Sequence, residues 1–154
     1  IHPDQVTLVP ERREEVTTEG GLDVVAHAAR VERSVARLRA AGIRTSLFIG
    51  PDLDAIRTSQ GVGAEAIELH TGEYANNPTN PAPLEALREA SRLGAELGLA
   101  VHAGHGLTAL NLGPVSSIPE IEELNIGHSI VSRAIFLGLA AAVSEVRKAM
   151  DASR

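Results

Sequence analysis

The chain has 154 residues and a mass of 16.2 kDa, with 44% hydrophobic and 22% charged residues. This length fits one domain with a substantial core and is short for several domains. The chain has 14 Lys and Arg against 20 Asp and Glu, a formal charge of -6, so we expect no basic surface for nucleic acid. It has no cysteine, which excludes disulfides, thiolate zinc sites and cysteine nucleophiles within this chain.

The sequence also argues against a membrane or secretory role. No apolar run approaches the roughly 20 residues of a membrane span, and the first residues lack the features of a signal peptide. We therefore expect a cytoplasmic protein with no membrane partner. The first residue is Ile1 and not Met, and a strand-like run follows almost at once, so we expect that sequence upstream is missing.

Five short apolar or β-branched runs, each bounded by turn residues, predict buried strands. They cover residues 5–9, 45–49, 66–69, 99–103 and 123–126. All five are too short to be helices.

Helical patterns lie between and after these runs. The first helix is predicted from apolar residues at spacings of three and four, and it ends at Gly42: Val24, Ala28, Val31, Val35 and Leu38. A second helix opens with Pro51 and Asp52 and fades at 61–63, and a third covers 84–97 and closes on Gly98. The last pattern, from about 129 to 150, is apolar nearly all round and predicts a helix buried on more than one side.

Strands that alternate with helices predict an α/β fold with a parallel sheet. Two architectures fit: an open doubly wound sheet, or part of a (β/α)8 barrel. A whole barrel typically needs about 250 residues, so this chain is too short for one. We expect residues 1–154 to form a single domain.

Ligands of parallel sheets bind beyond the carboxyl ends of the strands. His105 follows the fourth predicted strand between Gly104 and Gly106, and a histidine free to meet a ligand suits proton transfer near neutral pH. The alternative interpretation is a loop histidine beside two turn glycines.

A phosphate site is predicted after the fifth strand. If a helix begins near Ser129, the amides of Gly127, His128 and Ser129 form an anion-binding helix start, and Gly106 lies on the neighbouring loop. The alternative is that Gly127 only allows a tight turn and Ser129 caps the helix.

Two further groups could contact a ligand. Glu68 and His70 alternate along the third strand and so face the same side, where a carboxylate could stabilise a cationic intermediate or form a buried ion pair. The hydroxyls of Thr17 and Thr18, in the long loop after the first strand, could bind a substrate hydroxyl or phosphate, or shape a turn.

A metal-dependent hydrolase is an alternative, because several side chains at strand ends are adequate zinc ligands. They are Glu68, His70, His102, His105 and His128. However, no His-Glu-x-x-His pattern fixes their geometry, and the side chains of His102 and His105 should diverge.

Several segments together resemble the pyridoxine 5'-phosphate synthase family over essentially the whole chain. They are QVTLVPERREEVTTEGGLDV, SLFIGPD, GAEAIELHTGEYA, LGLAVHAGHGL and ELNIGHSIVSRAIFLGL. The resemblance implies a (β/α)8 barrel that condenses 3-amino-2-oxopropyl phosphate with 1-deoxy-D-xylulose 5-phosphate, yielding pyridoxine 5'-phosphate, phosphate and water. It also implies no metal or organic cofactor, and a homo-oligomer for the full-length protein.

The resemblance assigns roles to particular residues. His105 corresponds to the general acid, and Gly106, Gly127 and His128 to the site for aminooxopropyl phosphate. Thr17 corresponds to a contact with deoxyxylulose phosphate, and Glu68 to the residue that stabilises the transition state. A non-catalytic phosphate-binding fragment remains the main alternative.

The chain departs from the family in two ways. His102 stands where Asn is usual and Gly50 where Asp is usual. In addition, the roughly three βα units that open the family's barrel have no counterpart here, and they carry its proton-accepting residues. The resemblance therefore places this chain at strands four to eight, and we expect it to be inactive alone.

Overall fold

A computed structural model describes residues 2–10 and 20–153 of the chain. Five strands form one sheet: β1 (Gln5–Leu8), β2 (Arg44–Ile49), β3 (Ala66–His70), β4 (Ala100–Gly104) and β5 (Ile121–Asn125). They lie in sequence order and every neighbouring pair is parallel. The predicted α/β fold with a parallel sheet is confirmed. The described strands show no reversal of order, which a doubly wound sheet would have.

Seven helices lie among the described residues: α1 (Ala28–Ala40), α2 (Leu53–Gly61), α3 (Gly72–Asn76), α4 (Pro81–Glu96), α5 (Gly113–Ser116), α6 (His128–Leu137) and α7 (Leu139–Asp151). The β4–β5 connection contains only the four-residue α5. In the part of the chain that the structure describes, no helix is long and apolar enough to cross a membrane.

Local chemistry sets the helix ends. The Asp52 carboxylate accepts a hydrogen bond of 2.8 Å from the Ala55 amide and so caps α2, as its sequence predicts. Gly42 has a φ of +71° and lets the chain leave α1. Val24 is buried as expected but precedes α1, which begins only at Ala28.

The two faces of the sheet differ in chemistry because side chains alternate along each strand. One face packs against the helices through the hydrophobic core, which contains Leu47, Ile67 and Val101. The other face, called the inner face below, carries a row of side chains in register: Phe48, Glu68, His102 and Glu123. Glu68 and His70 lie on this one face, as their alternation predicts.

The prediction of one long C-terminal helix buried on more than one side is wrong. Gly138 adopts φ +79° and ψ 153° and separates α6 from α7, which fold against each other. No residue of α6 is buried, and Ile135 and Phe136 are 78% and 79% exposed. The break turns α7 back along α6, so the outer apolar side chains of α6 contact no other described element closely enough to be buried.

Candidate functional site

A cavity of about 550 Å³ lies at the carboxyl ends of the strands, where the sequence predicts the ligand. It brings together five of the predicted site residues: Glu68, His105, Gly106, Gly127 and His128. Thr7, Val9, Phe48, Leu107, Thr108, Asn125, Ile126 and Ser129 complete its wall. Thr17 lies outside the described residues.

His105 occupies a strained position directly after β4. Its φ is +87°, and it is the one residue other than glycine with a positive φ in the described ranges. Such a conformation costs on the order of 1–3 kcal/mol and persists only where the surroundings impose it. The adjacent Gly104 is equally constrained, because a Cβ there would lie 2.6 Å from Oε1 of Glu68. The strand end is thus shaped to aim one histidine into the cavity.

Glu68 lines the cavity from the inner face of β3. Burial raises the pKa of its carboxyl group, repulsion by Glu123 raises the pKa further, and a hydrogen bond with Asn125 acts in the opposite direction. A carboxyl group in this state keeps its proton to higher pH than usual, and a cation bound nearby would favour its ionised form. It can therefore respond to a positive charge that develops on a ligand.

The loops after β4 and β5 both line the cavity and together are called the cradle below. Gly127 is the residue before α6, and no side chain caps the first amides of that helix. Space is open where a Cβ of Gly127 would stand. Free amides and the helix dipole favour an anion at this point. No Lys or Arg is among the described residues that line the cavity, so amides and the two histidines would have to hold the charge.

Ser129 does not have the helix-capping role that the alternative interpretation of the phosphate site gives it. Its hydroxyl does not cap α6 but donates a hydrogen bond of 2.7 Å to the Leu107 carbonyl. This bond ties the start of α6 to the loop after β4, so the two halves of the cradle are fixed to each other.

A second set of contacts fixes the loop after β4, and no sequence pattern predicts it. The buried Tyr74 on α3 donates a hydrogen bond of 2.6 Å to the Asn111 carbonyl, and the Asn111 side chain accepts one of 2.7 Å from the Thr108 amide. Asn125 also lines the cavity, and the sequence analysis does not predict it. The only sequence signal for it is its position on β5, two residues after Glu123 and therefore on the same face of the sheet.

Two of the histidines named as possible zinc ligands, His70 and His102, lie beside the cavity and do not line it. The His70 ring stacks on the His105 ring with centroids 4.5 Å apart, and Phe48 contacts His70 edge-on at 5.3 Å. His102 is buried on the inner face between Glu68 and Glu123. Within residues 2–10 and 20–153, no three His, Asp or Glu side chains are grouped to hold a metal ion, so the hydrolase alternative gains no support.

Fold and cavity together define an α/β protein with a parallel sheet and a cavity at the carboxyl ends of its strands, lined by two histidines and a helix N-terminus. Solved structures agree on the fold. The chain is similar to 3-hexulose-6-phosphate synthase from Salmonella typhimurium (TM-score 0.66, 14% identity, covering 98% of this chain and 63% of that one). It is also similar to the tryptophan synthase A-subunit of Pyrococcus furiosus (TM-score 0.57, 18% identity, 96% and 54%).

The family is identified by sequence. Residues 1–152 match the family described as pyridoxal phosphate biosynthesis protein PdxJ, and the chain belongs to this family. It is 53% identical over 156 residues to a pyridoxine 5'-phosphate synthase of Synechococcus sp. (strain JA-2-3B'a(2-13)), covering 99% of this chain and 65% of the relative. It is 54% identical over 149 residues to one of Trichlorobacter lovleyi, covering 95% and 62%. The chain thus spans less than two thirds of these relatives' length.

Proposed function

We propose that this chain provides the acid and one phosphate site of a pyridoxine 5'-phosphate synthase. The reaction condenses 3-amino-2-oxopropyl phosphate with 1-deoxy-D-xylulose 5-phosphate and yields pyridoxine 5'-phosphate, phosphate and water. The observation that carries the proposal is that Glu68, His105, Gly106, Gly127 and His128 surround one cavity. We also propose that this enzyme is cytoplasmic and needs no metal or organic cofactor.

His105 acts as the general acid in this proposal. The condensation joins an amine to a ketone, expels phosphate and eliminates water, and each departure of an oxygen leaving group requires a proton. The ring of His105 is half-buried and opens on the cavity at the end of β4, within reach of a bound substrate. An orientation that is fixed before substrate arrives would lower the entropic cost of the proton transfer.

The cradle binds the phosphate group of the aminooxopropyl substrate. The amides at the start of α6 and around Gly106 supply hydrogen bonds, and His128 adds a side-chain donor. The absence of a Cβ on Gly127 lets an oxygen approach the backbone. Thr17 is proposed to contact the deoxyxylulose phosphate.

Glu68 stabilises positive charge that develops during the condensation. Its side chain lines the cavity, and burial and Glu123 raise the pKa of its carboxyl group. An iminium-like intermediate beside it would restore the ionised form and gain a favourable interaction in a site of low dielectric.

We further propose that the 154 residues form one domain, strands four to eight of an eight-stranded barrel. The five strands lie in sequence order with β1 and β5 at the edges, and the relatives are longer than this chain. The remaining strands would supply the proton-accepting groups, and the full-length protein would form a homo-oligomer.

The test is an assay of both substrates with the purified chain, alone and with the unmatched segment of the Synechococcus relative added. We expect no pyridoxine 5'-phosphate from the chain alone, product from the combination, and none when the chain carries His105→Asn. Product from the chain alone would refute its predicted inactivity. Phosphate binding without turnover in the combination would instead indicate a non-catalytic phosphate-binding fragment.

A further inference from the structure

We propose that His70, Thr71 and Gly72, which join β3 to α3, are positioning residues that hold His105 in one orientation. The inference rests on the proposed function, since the acid role of His105 comes from there. It adds a role for three residues that do not themselves line the cavity.

Thr71 fixes the backbone on both sides of the strained residue. Its side chain is buried, and its hydroxyl lies 2.7 Å from the Gly104 carbonyl oxygen and 2.5 Å from that of His105. The Thr71 amide donates a further hydrogen bond of 2.9 Å to Gly104. Because these carbonyls flank the positive φ of His105, β3 holds the turn that β4 alone would not favour.

The direction of the Thr71 hydroxyl sets it apart from an ordinary helix cap. Thr71 occupies the N-cap position of α3, where a threonine hydroxyl usually accepts a hydrogen bond from an amide of its own helix. No such bond is made here. The hydroxyl bonds instead to the neighbouring strand end, so its contacts serve the His105 turn.

His70 supports the ring of His105. The two rings are tilted by 32° with centroids 4.5 Å apart, and Phe48 packs on His70 at 74°. Among the described residues, Nε2 of His70 has no hydrogen-bond partner, so packing and not hydrogen bonding through that atom defines its place. A ring packed on this side limits the rotation of His105.

Gly72 makes room for the His70 ring. A Cβ at residue 72 would lie 2.4 Å from Cε1 and 3.0 Å from Nε2 of His70. Real atoms do not approach so closely, so any larger residue would displace the ring. The three residues therefore depend on one another.

The charge state of His70 suits this role. Burial and the neighbouring His105 lower its pKa to about 4, so its ring is neutral at physiological pH. A neutral ring can stack on a protonated His105 without repelling it. The other titratable side chains that line the cavities next to these rings are Glu68, Glu73, Tyr74 and His128, and His102 lies beside Glu68.

The experiment compares Thr71→Val with Thr71→Ser in the 154-residue chain, using histidine-selective NMR. Wild type and T71S should show the nuclear Overhauser contact between the His70 and His105 rings. T71V should lose it and bind inorganic phosphate, read from the His105 ring signal, about three- to tenfold more weakly. Binding would then have to supply the free energy with which the hydroxyl now holds the His105 turn. Rescue by serine, which keeps the hydroxyl, separates this role from side-chain volume.

A His70→Ala variant gives a second readout if T71V does not fold, as judged by circular dichroism. We expect the His105 ring to show more than one conformation in H70A. An unchanged ring contact and phosphate affinity in folded T71V, or a single unchanged His105 conformation in H70A, would overturn the inference. Neither readout requires turnover, so a failed synthase assay would not produce these results.

Discussion

The fold does not require a glycine at position 127, the residue before α6. Gly127 has a φ of −114° and open space around its missing Cβ, so alanine fits there without strain. The added methyl group would, however, stand in the proposed phosphate cradle. Gly106 is different, because a Cβ there would lie 2.7 Å from that of Ala75 at a φ of +74°.

We therefore predict that Gly127→Ala weakens phosphate binding about tenfold while the thermal unfolding midpoint changes little. The matched control is Gly61→Ala at the end of α2, where a Cβ also meets open space and lies outside the cavity. Calorimetric titration with inorganic phosphate measures the effect. Equal affinities for the two variants would show that the cradle does not bind phosphate.

His70 also allows a test of electrostatics in the site. Its pKa is lowered to about 4, mainly by burial and secondly by His105. We predict that His105→Asn raises the pKa of His70 only part of the way to its ordinary value of 6.5, since burial remains. An NMR titration of the His70 ring measures this, and no rise in the pKa would contradict the coupling.

The same group makes stability depend on pH. Since the pKa of His70 is about 4 when folded and 6.5 in its ordinary state, the unfolded chain binds more protons between these values. The free energy of unfolding should fall as pH falls through this window, and less so in His70→Phe. Glu68 acts with the opposite sign because its pKa is raised, but it is present in both proteins and cancels in the comparison.

Urea titrations of wild type and H70F at several pH values measure this difference. A wild-type free energy of unfolding that falls no more steeply than that of H70F would contradict the prediction.

The site residues differed in how well the sequence predicted them. The cavity residues that could be predicted lie near the ends of predicted strands or next to glycines: Glu68, His105, Gly127 and His128. The supporting residues could not. In the sequence, Thr71 is typical of a turn residue. Only the pairing of β3 with β4 shows that its hydroxyl bonds to the backbone of the His105 turn.

At the scale of elements, α3 anchors the loop after β4 through Tyr74. Its hydroxyl is bonded to the Asn111 carbonyl at 2.6 Å, and the ring is buried. We predict that Tyr74→Phe lowers the free energy of unfolding by about 1–2 kcal/mol, because a carbonyl loses its partner. Amide hydrogen exchange should accelerate at residues 106–111.

Ser117→Ala is the control for this prediction, since its hydroxyl bonds only to the local Pro114 carbonyl at an exposed position. The expected effect of S117A on residues 106–111 is none. Exchange rates in this loop that are the same in Y74F and wild type would show that α3 does not anchor it.

The strands were easier to predict than the helices that follow them. The predicted strands overlap all five observed ones, because short β-branched runs between turn residues leave few alternatives. The break in the C-terminal segment cannot be predicted, because apolar periodicity continues through Gly138. The pattern cannot show that the backbone turns there, nor which apolar residues remain exposed.

At the scale of the whole molecule, α6 presents an exposed apolar surface that includes Val131, Ile135 and Phe136. Surfaces of this kind promote association. We predict that Ile135→Ser combined with Phe136→Ser shifts the chain toward smaller species in sedimentation velocity, with little change in thermal midpoint. The control is Arg147→Ser, which changes an exposed charged residue on α7. An unchanged size distribution in the double variant would contradict the prediction.

Above all, we expect the ends of β4 and β5 to bind the phosphate group of a ligand. The most direct test is to titrate the chain with pyridoxine 5'-phosphate and follow backbone amide signals by NMR. We predict saturable shifts centred on Gly106, Gly127, His128 and Ser129, with smaller shifts elsewhere. Absent shifts, or saturable shifts centred on another surface, would show that these strand ends do not bind the phosphate group.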